Sequence, residues 1–276
     1  MGSRPHLKAA VLGALKSDGS PIPLGSGIPV DGARRLLTSC AHVWNDILEM
    51  YETSSSTSTV LDPREHGVAV GFAKEDGIEW VGRAELRRMS DPPSASEPQG
   101  KDLIVLRMTA QLDGTALPAA HTLAALPLGY TNDGALKAGD ELTISGYAKP
   151  AAGMVPMMQP VFGEFSVIDR NAADGPWIRF DKVTHPGQSG GPVLNSQGKV
   201  VAWVVRSQMS GGQPVCSELR PVESLEPLLA QVLIDLEPEL AGDGQPELRN
   251  DALRDQLMLR EAQEAQRLWV ENQLRV

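Results

Sequence analysis

Up to about residue 206, apolar positions come in short runs broken by glycine, proline, asparagine or aspartate. The clearest runs cover 9–12, 33–38, 67–72, 80–84, 142–145, 164–168 and 177–180. Turn-forming residues at 17–21 and at Asp76-Gly77 separate neighbouring runs. Many short runs divided in this way predict antiparallel strands, closed as barrels or packed as sandwiches, and hence an all-β fold. Two polar insertions, 53–59 and 89–100, read as surface loops.

The pattern changes after residue 224. Leu225, Leu228, Leu229, Val232 and Leu233 fall on one face at helical spacing, which predicts a helix over 224–236. Residues 241–246 read as a linker, and Pro246 suits the first turn of a further helix. Leu248, Leu253, Leu257, Ala265, Leu268 and Trp269 then recur along a highly charged stretch. The expected organisation is a main domain over 1–240, followed by a linker and a charged amphipathic helix over 241–276. Residues 246–276 have two readings of equal weight. They pack back on the main domain, or they connect to a regulatory protein partner or a downstream domain.

Composition narrows the function classes. A chain of 276 residues that is 41% apolar is ample for a packed core, and no run approaches the length of a membrane span. A formal net charge of −10 argues against a nucleic-acid binder, which normally carries a basic stripe. Cys40 and Cys216 are too few for a disulfide framework, and 6–15 lacks the makings of a secretion signal, so reduced thiols and a cytoplasmic setting are expected. His6, His66 and His121 have no carboxylate or cysteine at metal-ligand spacing. No metal and no cofactor are expected.

The stretch with most chemistry is Thr184-His185-Pro186-Gly187-Gln188-Ser189-Gly190-Gly191-Pro192. Glycines around Ser189 let a substrate carbonyl approach the backbone. In such a turn the Gly187 and Ser189 amides can converge on a developing oxyanion. A serine hydroxyl is a weak nucleophile until a base takes its proton. Two blocks upstream supply the candidates: His42 after the apolar Leu36-Leu37, and Asp102 at the start of an apolar strand. Asp46 rivals Asp102 by proximity, but four residues past His42 on a helical turn it points outward.

The order His42, Asp102, Ser189 resembles that of the trypsin-like (chymotrypsin-fold) serine peptidases, and more closely their bacterial HtrA-like branch. Gly25-Ser26-Gly27-Ile28-Pro29-Val30, Leu136-Lys137-Ala138-Gly139-Asp140, Ser145-Gly146-Tyr147, and the stretches 181–195 and 199–205 carry the likeness, which spans about 7 to 235. It implies two six-stranded antiparallel barrels with the site in the cleft between them and a closing helix, to which the apolar pattern above adds a helical extension. It implies Ser189 as nucleophile, His42 as general base and then acid, Asp102 as the group that orients the imidazole, and Gly187 with Ser189 as oxyanion donors. Val183, Thr184, His185, Trp203, Val204, Val205 and Arg206 fall where the family binds substrate, with 203–207 as the edge strand that pairs with the substrate backbone.

Several departures bear on specificity and control. Val43 follows the histidine where secreted relatives have cysteine. Gln188 precedes the nucleophile where zymogen-activated relatives have an aspartate that pairs with a new N-terminus. Val183 replaces the carboxylate at the base of a trypsin pocket, so an apolar or small P1 residue is expected. Thr184 is shared with glutamyl-specific relatives, but Val204 stands where they have a histidine, and Arg206 is the candidate positive group in its place. The implied function is a serine endopeptidase acting on protein or peptide substrates. The architecture is similar to that of protease effectors of bacterial defence, which act on one partner when triggered. A protease-like scaffold and an esterase are the competing readings.

Overall fold

The computed structural model describes residues 9–54, 59–74, 77–92, 100–118, 120–130, 136–137, 139–148, 157–158, 161–169 and 177–242. The chain divides into two compact units, Met1–Ser224 and Leu225–Val276.

Two closed six-stranded antiparallel barrels make up the first unit, as the family resemblance implies. The first barrel is built from β1 (Ala10–Leu15), β2 (Pro21–Asp31), β3 (Leu36–Ser39), β4 (Val68–Lys74), β5 (Gly77–Ser90) and β6 (Leu103–Ala110). Its strands close in the order β1-β2-β3-β6-β5-β4. The second barrel uses β7 (Glu141–Ile144), β10 (Val161–Asp169), β11 (Trp177–Phe180), β12 (Pro192–Leu194), β13 (Val200–Ser210) and β14 (Gln213–Pro221), closing in the order β10-β11-β14-β13-β12-β7. Between β7 and β10, β8 (Tyr147–Ala148) and β9 (Met157–Met158) form a small ribbon.

β1 is buried along its whole length, between β2 and β4, so its sequence AVLGAL runs apolar without alternation. In the second barrel Leu142, Ile144, Ile178, Phe180, Val193, Val204 and Leu219 share one core.

Two boundaries differ from the sequence reading. Residues 33–35 form a turn and the strand begins only at Leu36, because the Asp31 carboxylate accepts from the Arg34 amide and guanidinium and closes the chain there. β5 continues through Met89 and Ser90, which were expected to be loop, because β6 pairs with it as far as Leu103. Much of the 53–59 insertion lies outside the described residues, and Thr53 ends a helix.

That helix, α1 (Ala41–Thr53), buries Ala41, Val43, Trp44 and Ile47. A short α2 (Pro63–His66) is capped by Asp62, whose side chain accepts from the Arg64 amide. A 3₁₀ turn at Val222–Leu225 precedes α3 (Glu226–Gly242). The predicted helix is therefore present and runs on through Ala241 and Gly242, where a linker was expected; residues 246–276 lie outside the described residues. Among the described residues no helix is long and apolar enough to cross a membrane.

Candidate active site

The site begins with strand register. β3 and β6 pair antiparallel with Ser39 opposite Ile104, so the chain leaving β3 toward α1 passes the residue that enters β6. Asp102 and His42 are thereby brought together across 60 positions of sequence. The helix cap Cys40 makes no side-chain capping bond, which leaves the first α1 amides in need of acceptors. Asp102 supplies one of them. Its Oδ1 accepts the His42 backbone N–H at 2.9 Å, and its Oδ2 meets His42 Nδ1 at 2.7 Å. Held at both oxygens, the carboxylate fixes the ring's orientation and its Nδ1–H tautomer. Asp102 has φ 52°, a left-handed conformation that aspartate tolerates better than most residues. Its amide donates to the Asp91 carbonyl.

Burial is the largest single influence on the His42 imidazole and favours its neutral form. The Asp102 hydrogen bond, the Asp102 charge and the Asp46 charge together outweigh it, so the pKa lies above the ordinary 6.5. Asp46 is exposed on α1, as expected, and acts on the ring only through space.

Cys40 is fully buried two residues before His42, and its thiol donates to the Val204 carbonyl at 3.2 Å. Burial, with Asp102's charge adding, pushes the thiol pKa well up. Donor atoms of Cys40, His42 and Asp102 lie within 4.8 Å of one another, the metal-ligand type of cluster found among the described residues. A neutral thiol and a ring nitrogen already bound to a carboxylate are poor ligands, so this donor set suits an oriented imidazole better than a metal ion. Cys216 is also free, so the two cysteines form no disulfide.

Ser189 comes from the second barrel, in the turn before β12. The hydrogen bonds of this turn can be followed amide by amide. His185 donates to Gln188 Oε1, Gln188 to the His185 carbonyl, Gly190 to the Val204 carbonyl and Gly191 to the Gln188 carbonyl. Pro186 has no N–H. Among the described residues the Gly187 and Ser189 amides alone in this turn meet no protein acceptor. They are the two amides expected to face an oxyanion. Gly187 (φ 92°) and Gly190 (φ 79°) take conformations that favour glycine. A Cβ on Gly190 would stand 2.3 Å from both the Ser26 carbonyl oxygen and Ser39 Oγ. Gln188, completely buried, uses its side chain to close this turn.

The Ser189 hydroxyl does not bond to His42 in this conformation. It donates to the Val205 carbonyl at 3.3 Å. Val205 is free to accept because a bulge leaves it out of the β13–β14 ladder, between Val204↔Leu219 and Arg206↔Glu218.

The expected substrate-binding residues separate into groups. Trp203 is paired on both sides, with Pro192 of β12 and Arg220 of β14, and Val204 belongs to the barrel core; both are interior residues rather than edge-strand residues. From Val205 onward β13 keeps β14 on one side and, among the described residues, has no strand on the other, so the open edge starts there. Arg206 turns outward. Its Nε donates to Glu218 at 2.6 Å and its guanidinium stands 5.0 Å over the Trp177 ring, so it does not enter a pocket beside Thr184. Val183 is half-buried and His185 exposed. Thr184 is buried, and Ser217 Oγ accepts its amide at 2.9 Å. The Thr184, Ser207 and Ser217 hydroxyls gather, with Ser217 Oγ 3.0 Å and Ser207 Oγ 3.5 Å from Thr184 Oγ1. The sequence does not single out Ser207 and Ser217, because they become neighbours only through the β13–β14 register. Ser26, in the sequence one member of the 25–30 motif, bonds directly to the turn that carries Ser189.

Residues 25–202 match the family model described as trypsin-like peptidase domain. Among solved structures, the MamO protease domain from Magnetospirillum magneticum (apo form) is similar at 15% identity and a TM-score of 0.51, over 81% of this chain and 96% of that one. An HtrA-type protease, AlgW in a serine-to-alanine form with a decapeptide, is similar at 17% identity and a TM-score of 0.53, over 83% of this chain and 64% of that one. No curated protein sequence matches the chain.

Proposed function

The chain belongs to the trypsin-like peptidase family, and we propose that it is a serine endopeptidase that cleaves a protein substrate through an acyl-enzyme on Ser189. The supporting observation is the Asp102–His42 pair, held at both carboxylate oxygens, combined with a nucleophile turn whose unpaired amides are those of Gly187 and Ser189.

Rotation of Ser189 about χ1 carries its Oγ from the Val205 carbonyl toward His42 Nε2. His42 then takes the hydroxyl proton as Oγ adds to the scissile carbonyl carbon. The carbonyl oxygen becomes an oxyanion and accepts from the Gly187 and Ser189 amides. The imidazolium, stabilised by Asp102, gives the proton to the departing amine, and the C–N bond breaks. Water repeats the sequence: His42 takes its proton, hydroxide adds to the acyl carbon, and the proton returns to Ser189 as the acid leaves. The freed Val205 carbonyl and the open β13 edge beyond it receive the substrate backbone by strand addition. Gln188 carries no charge for an N-terminal ion pair, so control falls to the cleft loops, oligomerisation or a partner rather than to a newly cut N-terminus. A triggered defence or regulatory role in the cytoplasm fits such a resting enzyme.

One observation favours a second reading, a latent site or a scaffold: Ser189 bonds to Val205 in place of His42. Labelling with a fluorophosphonate probe decides between them. The endopeptidase reading expects the native chain to label and Ser189→Ala and His42→Ala to lose it. A native chain that stays unlabelled favours the second reading.

A further inference from the structure

The two unpaired amides need a rigid turn beneath them, and a residue outside that turn provides it. Ser26 lies in β2 of the first barrel, completely buried. Its hydroxyl donates to the Gly187 carbonyl at 2.8 Å and accepts the Tyr147 amide at 2.7 Å. Its own amide donates to the Ser189 carbonyl at 2.9 Å. Ser26 thus bonds to the turn on both sides of Gln188.

These bonds determine which way the peptide planes face. The 187–188 peptide is held at its oxygen by Ser26 and at its nitrogen by the His185 carbonyl. The 189–190 peptide is held at its oxygen by the Ser26 amide and at its nitrogen by the Val204 carbonyl. The 188–189 peptide between them has its oxygen bonded by the Gly191 amide. With every carbonyl from Gly187 to Ser189 anchored, the Ser189 amide can face only the remaining direction, and the Gly187 ψ angle is fixed with it. The hydroxyl is closely packed from the other side: a Cβ on Gly146 would stand 2.6 Å from Ser26 Oγ.

We propose that Ser26 is a positioning residue for the reaction, whose buried hydroxyl holds the Gly187 carbonyl so that the Gly187 and Ser189 amides converge on the oxyanion. It touches neither substrate nor reacting atoms. The proposal rests on the endopeptidase reading above, and its test separates the two. Removing the hydroxyl also strips a buried carbonyl and a buried amide of their partner, so some loss of stability is expected whatever the role. A readout that stability does not move is therefore required.

The experiment compares native chain, Ser26→Ala, Ser26→Cys and Ser39→Ala. Ser39 Oγ donates to the Ser26 carbonyl at 2.6 Å in the same buried region without contacting Gly187, so Ser39→Ala controls for a lost buried hydrogen bond. The rate constant for fluorophosphonate labelling is measured across pH, together with Tm. Losing one oxyanion donor outright slows such enzymes by about 10²–10³. A displaced pair is expected to slow the high-pH plateau by roughly 10- to 100-fold in Ser26→Ala. Its acid limb, which reports His42, stays in place. Ser26→Cys, keeping a weak donor, falls between native and Ser26→Ala and carries the test should Ser26→Ala not fold. Ser39→Ala lowers Tm and keeps its plateau within about threefold of native. The proposal is overturned if both Ser26 variants label at the native plateau rate, or if Ser39→Ala slows labelling as much as Ser26→Ala. It is equally overturned if plateau and acid limb shift together. A native chain that fails to label overturns the endopeptidase reading itself, an outcome distinct from those.

Discussion

Asp102 is where a single residue has most consequence. It combines two tasks that the sequence presents as unrelated, capping α1 through Oδ1 and orienting His42 through Oδ2. In Asp102→Asn the amide oxygen keeps the bond to the His42 N–H, which turns the NH₂ toward Nδ1 and enforces the wrong tautomer. The expected result is a drop of about 10⁴ in turnover with little change in fold, read by labelling rate and circular dichroism. Asp46 offers a finer test. In the proposed reaction the neutral ring is the base, so the rate rises with pH through a His42 pKa that lies above 6.5. Asp46→Asn removes one charge that raises this pKa. The acid limb should move to lower pH with an unchanged plateau, whereas an unmoved limb would show that Asp46 is fully screened. The order of His42, Asp102 and Ser189 was legible because each sits in a local motif. Ser26 was not, since its bond to Gly187 spans 161 positions and a serine between two glycines gives no sign of where its hydroxyl ends.

At the scale of elements, strands were legible wherever apolar runs ended at turn residues. The errors came where tertiary pairing overrode local polarity, as at Met89 and Ser90, which β6 recruits into β5. α1 illustrates the same limit. A helical turn after His42 was readable, but its packing against β2 depends on Gly25, where a Cβ would come within 2.6 Å of Val43 Cγ1. This contact sets how α1, and with it His42, lies on the first barrel. Gly25→Ala is expected to destabilise the chain by about 1–3 kcal/mol through overpacking and to slow labelling by shifting the helix. Because the obstructing atoms belong to a side chain, adding Val43→Ala should recover most of both losses. Denaturant titration of the single and double variants measures the coupling; strictly additive effects would exclude this contact as the cause.

For the first unit as a whole, the site is divided between the barrels. His42 and Asp102 belong to the first and Ser189 to the second, so the proposed reaction requires both to be folded together. Composition gives only an ample core, and the family motifs give two barrels without their means of attachment. Buried polar bonds supply that attachment: Ser26 to Gly187, Ser189 and Tyr147, Cys40 to Val204, and Arg220 Nη2 to the Gly100 carbonyl at 3.3 Å. Arg220 is completely buried and stacks 3.7 Å from the Trp177 ring, so a buried guanidinium of the second barrel bonds to a carbonyl of the first. A barrel unfolding alone would leave these donors and acceptors stranded at an apolar surface, a penalty of roughly 1–3 kcal/mol for each group. The two barrels should therefore unfold in one transition despite the chain's length. Trp44 and Trp80 report on the first barrel and Trp177 and Trp203 on the second. Variants retaining only one pair should melt at the same temperature by fluorescence, and labelling of Ser189 should vanish over that same interval. Separate midpoints for the two pairs would mean that apolar closure of each barrel outweighs the polar bonds between them.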